Sequence, residues 1–237
     1  MPAGSLVAMF TDAAQKPSEK QLISAVKGDP SLAKQVDANT GNTPLHFACC
    51  NRAPPPLIKA LLDAHKGAAS ATDADGNLPI FGAVANGCDA AAIKMLLQAF
   101  PDGVRAKQGK HTLLHAAASN GQTAEVAELL INAWPEAAAE RDDEGSAPLH
   151  FAAACQAPPA VVHALLKACP EAAQWRGQMQ RLPLSLCLLC EAPPASVEAI
   201  RDAYPTAQRA FEIVADYQNK GQGTSFKCTQ KPHETRE

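Results

Sequence analysis

The sequence predicts an all-α solenoid of stacked helix–turn–helix units with turn tips, about five full copies plus degenerate caps, and three observations predict it. A six-residue pattern recurs at residues 43–48 (TPLHFA), 78–83 (LPIFGA), 112–117 (TLLHAA), 147–152 (APLHFA) and 182–187 (LPLSLC). Its second residue falls at 44, 79, 113, 148 and 183, in steps of 35, 34, 35 and 35. Two further series keep the same beat: Ala-x-Pro at Pro101, Pro135, Pro170 and Pro205, and Ala-Pro-Pro at Pro54, Pro158 and Pro193. Apolar residues make up 46% of the chain but aromatics only 5%, which favours many small helix–helix contacts over one thick core.

Each copy reads in the same order. Asp75-Gly76 and Glu144-Gly145 are turn dipeptides in which glycine supplies a positive φ. Pro44, Pro79 and Pro148 each stand three residues after a glycine, where a helix begins and a missing N–H costs nothing. The first helix runs from Pro44 to Asn51, with Leu45, Ala48 and Cys49 on one face. Prolines 54–56 or 158–159 close it and preset φ for the next. The second helix covers 57–64 or 160–168 and carries the leucine pairs 61/62, 96/97, 129/130 and 165/166. It stops before Pro101, Pro135, Pro170 or Pro205, because a residue preceding proline is driven out of the α region. Helices of about eight to ten residues are marginal alone. Stacking one pair on the next is what buries the leucine rows.

The copies divide the chain into a lead segment 1–18, a degenerate cap 19–36, and repeats at 37–71, 72–106, 107–139, 140–173 and 174–208. Residues 21–28 read as the first helix of the N-terminal cap. A capping helix with Phe211, Val214 and Tyr217 at helical spacing and a polar, disordered tail are expected over 209–237. The turn glycine is shifted to Gly109 in the third copy and replaced by Gln180 in the fifth, so those two turns are expected to be shaped differently.

Turn, Thr-Pro-Leu-His, helix, helix at this period resembles the ankyrin repeat, whose unit is about 33 residues around a T-P-L-H-x-A core. Residues 41–48 and 145–152 match best, and the resemblance covers 19–208. This chain has a longer, 34–35-residue variant, with Phe81 and Ser185 where the histidine would stand. A tetratricopeptide array shares the period, but its Trp, Gly and Tyr positions are absent here.

Composition narrows the function. A net charge of −3 with 19% charged residues, and no basic stripe, argues against nucleic acid. The apolar stretch 6–10 is too short to insert into a membrane. Eight cysteines in a long chain without a secretory leader read as reduced thiols of an intracellular, most simply cytoplasmic, protein. His46, His115 and His150 share one repeat position; neighbouring copies lie about 8–10 Å apart, too far for shared metal ligation, so they read as structural. Cys187 and Cys190 form a C-x-x-C with no second pair for zinc. Residues 103–111 miss the phosphate-loop spacing, and 73–76 break off a calcium loop too early. No catalytic motif stands out; no enzyme activity, cofactor or metal is expected.

The resemblance implies a partner lying across the turn tips and the concave face of the first helices. The implied groove positions are Cys50/Asn51, Ala85/Asn86, Ser119/Asn120, Ala154/Cys155 and Leu189/Cys190. Asn51, Asn86 and Asn120 either offer amides to a peptide backbone or simply end their helices. Asp73 with Asp75, and the 141–144 segment with Asp143, make largely acidic tips around a basic one bearing Lys107 and Lys110. The fifth tip carries Trp175, Arg176, Met179 and Arg181, residue types enriched at binding hot spots. Trp175 and Arg176 are the expected anchor, unless Trp175 folds against the neighbouring copy. The expected function is a non-catalytic adaptor or scaffold, monomeric on its own, that binds another protein. The alternative is a permanent structural subunit or assembly factor of a larger complex.

Overall fold

The structure is a computed structural model that describes residues 5–11 and 17–204. The expected capping helix with Phe211, Val214 and Tyr217, and the tail, lie outside the described residues. The chain divides into two compact units, Met1–Gln108 and Gly109–Glu237.

The first unit contains α1 (Leu6–Thr11), α2 (Glu19–Gly28), α3 (Pro44–Cys50), α4 (Pro55–Ala64), α5 (Pro79–Ala85) and α6 (Ala90–Ala99). Two rows form: α1, α3 and α5 stack on one another, and so do α2, α4 and α6. Thr43 starts α3 by accepting the His46 N–H on its hydroxyl, and Pro44 fills the position where no N–H is needed. Leu45, Ile58, Leu61, Ile80, Val84 and Ile93 are buried between the rows, each contributing about 1.5–3 kcal/mol by leaving water.

The N-terminal end corrects the sequence reading. Residues 21–28 were expected as a first helix, yet α2 packs on α4 in the row of second helices. The first-helix place is taken by α1, where Phe10 stacks on Phe47 with ring centroids 6.1 Å apart. Gln35 Oε1 caps α1 by accepting the Leu6 N–H at 2.7 Å. The reason is legible afterwards: α2 runs into Asp29-Pro30, as α6 runs into Phe100-Pro101.

The second unit contains α7 (Leu113–Ser119), α8 (Ala124–Ala133), α9 (Pro148–Ala154), α10 (Pro159–Ala168), α11 (Pro183–Leu189) and α12 (Pro194–Ala203). Again odd packs on odd and even on even. Leu114, Leu130, Leu149, Val162, Leu165 and Leu184 fill the space between.

Every second helix among the described residues up to α10 is followed by one 3₁₀ turn: Pro30–Lys34, Lys66–Ser70, Pro101–Arg105, Pro135–Ala139 and Pro170–Gln174. The sequence reading stops the helix at the proline correctly but does not foresee this element. It buries small side chains such as Ala33, Ala68, Ala137 and Ala172 and occupies the Ala-x-Pro-Glu-Ala-Ala stretches. The extended pairs Lys107–Gln108 and His111–Thr112 are the one departure from helix and turn among the described residues. No described helix is long and apolar enough to cross a membrane.

Candidate partner-binding surface

The tips are held by side chains that the repeat places in register. Asp73 Oδ1 accepts the N–H groups of Asp75 (3.0 Å) and Asn77 (2.8 Å). Asp142 Oδ1 accepts those of Glu144 (2.9 Å) and Ser146 (2.8 Å). Asp37 does the same for Asn39 and Thr40, and the Thr40 bonds hold its carboxyl below the usual range. Gly76 (φ +81°) and Gly145 (φ +80°) make the positive-φ step that a side chain resists.

Beneath the tips sit the histidines. His46 Nδ1 accepts the Thr43 N–H at 3.2 Å, so its Nε2 carries the proton and donates to the Asn77 carbonyl of the next copy at 3.1 Å. His115 joins Thr112 to the Ser146 carbonyl (3.2 Å), and His150 joins Ala147 to the Trp175 carbonyl (2.9 Å). The structural role expected of these residues is therefore specific: each ties its copy to the next. Burial disfavours the imidazolium and lowers all three pKa values, that of His115 to about 4.

The fifth tip is built differently, as expected. Gly177 stands at the aspartate position, where a Cβ would lie 2.5 Å from Ser146 Oγ and 2.7 Å from His150 Cδ2, so that any side chain would displace one of them. Ser146 Oγ instead accepts the Gln178 N–H at 3.0 Å. Met179 and Gln180 both take positive φ, 54° and 58°, and Met179 is 71% exposed. Arg176 Nη1 donates to the Gln180 carbonyl at 2.9 Å and braces the turn. Trp175 is half-buried, with the Arg141 guanidinium 4.2 Å above its ring. Trp175 thus does lean on the preceding copy, through a cation–π contact.

Of the sequence-predicted residues, Trp175, Arg176, Met179 and Arg181 are gathered on this one tip. Lys110 and Asp143, both well exposed, form an ion pair at 2.9 Å, which raises the Lys110 pKa. Asp75 is exposed at the second tip. Asn51, Asn86 and Asn120 end their helices, each donating an amide N–H to the carbonyl four residues back, Phe47 (2.8 Å), Gly82 (2.9 Å) and Ala116 (2.9 Å). That geometry favours helix capping over the idea that their amides wait for a peptide. Sequence reasoning missed Arg141, Ser146 and Gly177; the recurrence of aspartate at 37, 73 and 142 would have shown which tips lack their anchor.

Burial pushes the Cys49 thiol up, that of Cys88 to about 11 and that of Cys187 to about 12, so they stay protonated and pack as small apolar groups. Among the described residues no three His, Cys, Asp or Glu side chains converge to hold a metal ion.

A family model described as Ankyrin repeats (3 copies) matches residues 81–174, and a second, described as Ankyrin repeat, matches residues 40–74. The chain is an ankyrin-repeat protein. Its array is similar to the human ASB11 ankyrin repeat domain, with a TM-score of 0.60 and 20% identity, over 86% of this chain and 84% of that one. It is also similar to a chain in the complex of the predatory endopeptidase Bd0816 from Bdellovibrio bacteriovorus with the immunity protein Bd3460. There the TM-score is 0.62 and the identity 18%, over 84% of this chain and 97% of that one. At such identities the likeness concerns the ankyrin fold alone. No curated protein matches the sequence.

Proposed function

We propose that this ankyrin-repeat protein is a non-catalytic adaptor or scaffold that captures another protein across its tips, chiefly through the fifth. Ankyrin repeats are generally protein–protein interaction modules, and one fold-level neighbour was solved within a protein complex. The observation that carries the reading is Met179, 71% exposed, on a turn held at positive φ beside Trp175 and Arg176. Backbone strain and an exposed large apolar side chain both cost stability, and they persist where function uses them. The same reading includes an intracellular setting and a monomeric state until the partner binds.

The test is capture from native lysate by the wild type and by Met179→Ser and Arg176→Ala variants, with the captured proteins identified by mass spectrometry. A specific partner is expected to bind the wild type and to be lost from both variants, whose melting curves stay within about 2 °C of wild type. Equal recovery by all three would remove the fifth tip from the interface.

A further inference from the structure

The charges of the tips single out the fifth. The first tip carries Asp37, the second Asp73 and Asp75, and the fourth Asp142, Asp143 and Glu144 against Arg141. The third is basic, but its Lys110 is already paired with Asp143 at 2.9 Å. Residues 172–190, which hold the fifth tip and α11, contain Arg176 and Arg181 and no Asp or Glu. In a chain of net charge −3 this is a local positive excess, and it surrounds the exposed Met179.

The cations at this tip are positioned without being neutralised. Arg141 and Arg176 are both exposed. The Arg141 guanidinium lies 4.2 Å from the centre of the Trp175 ring, held there by an aromatic face and not by a carboxylate. Arg176 spends Nη1 on the Gln180 carbonyl at 2.9 Å, which fixes the side chain and leaves its charge in place. Among the described residues neither guanidinium is in an ion pair. A guanidinium already held in place loses less rotamer freedom on binding, and it takes up a carboxylate through paired N–H···O bonds. The positive area is small, and the neighbouring fourth tip exposes Asp143 and Glu144. Such an area suits the single charges of carboxylate side chains and opposes a polyanion such as nucleic acid.

We propose that the fifth tip recognises an acidic peptide segment of the partner, an inference that rests on the reading of this tip as the interface. Asp or Glu side chains of that segment pair with Arg141 and Arg176, and an apolar residue between them covers Met179.

The test is selection of a phage-displayed random peptide library on the full chain, followed by anisotropy titration of the selected peptides. The peptides are expected to carry Asp or Glu on both sides of an apolar residue. Arg176→Gln and Met179→Ser should each weaken them about tenfold. Gln180→Glu should weaken them about two- to fivefold and Gln180→Lys tighten them as much. Those two changes spare the Arg176 brace, which uses the Gln180 carbonyl, so a purely structural arginine would leave both without effect. Neutral or basic peptides that Met179→Ser abolishes would overturn the acidic assignment and keep the tip as the interface. Acidic peptides indifferent to all four changes would overturn it too, as would a single-stranded DNA oligonucleotide that binds more tightly than any peptide. A library that yields no peptide lost on Met179→Ser also overturns it, and capture from lysate then decides whether the tip itself remains the interface.

Discussion

The fourth and fifth copies, 140–173 and 174–204, share one sequence template and use it in opposite ways. In the fourth, Asp142 satisfies the tip's own N–H groups, Gly145 takes the positive φ, His150 reaches the next copy, and Ala153 and Val162 are fully covered. In the fifth, the anchor aspartate has become Gly177, the positive φ falls on Met179 and Gln180, the histidine has become Ser185, and Leu188 and Val197 are half-buried. Even its core differs: Ser196, in the place of Val161, is 1% exposed with its hydroxyl unpartnered. The tip that has lost its anchor aspartate and its glycine at the turn is the one that presents an exposed methionine.

The sharpest way to break the contrast is to disable an inter-copy tie. His115→Ala leaves the Thr112 N–H and the Ser146 carbonyl without their buried partner and opens a cavity, an expected loss of about 2–4 kcal/mol by urea unfolding. A loss no larger than that of an exposed substitution would show the tie to be incidental. Gly177→Ala, which drives a Cβ into Ser146 and His150, is expected to cost about 1–3 kcal/mol, whereas Gly28→Ala, where nothing lies within 4 Å, should not destabilise.

Acid probes the same ties. A neutral histidine with a lowered folded-state pKa gives stability that is complete above its unfolded value of about 6.5. That stability drains as pH falls toward the folded value, about 4 for His115. Melting temperature should therefore drop between pH 6.5 and 4, and His115→Asn should flatten part of that drop; parallel profiles would assign acid sensitivity to other groups.

Smaller effects sharpen the fifth copy. Ser196→Ala removes an unpaired buried hydroxyl and is expected to stabilise by up to about 1 kcal/mol, and Gln180→Gly, by relieving positive φ, by about 0.5–1 kcal/mol. Unchanged or lowered midpoints would mean that neither feature is a cost. Smallest of all is the exposed pair Lys110–Asp143: a double-mutant cycle should give about 0.2–1 kcal/mol, abolished in 1 M salt.

Much of this was legible in the residues. Proline at N1, proline after Ala-x and the leucine pairs declare where helices start, stop and bury themselves, because those are local steric rules and a strict period. Trp175, Arg176, Met179 and Arg181 could be singled out because their types stand together in one tip. The task of Asn51, Asn86 and Asn120 could not be settled, since an asparagine capping its helix and one facing a peptide look alike in sequence. The N-terminal helix was misplaced for a related reason: which row α2 joins depends on its packing against α4, and its own amphipathic pattern serves either row.

By itself, then, the sequence determined the ankyrin architecture, its period and its helix ends, all of which follow from backbone sterics and apolar spacing within a copy. Only the tertiary structure decided what happens between copies. It set the direction of each histidine's Nε2 proton, the squeeze that Ser146 and His150 put on Gly177, and the seat of Trp175 beneath Arg141. Those depend on atoms from segments about 30 residues apart meeting at hydrogen-bond distance, and no local pattern encodes such a meeting.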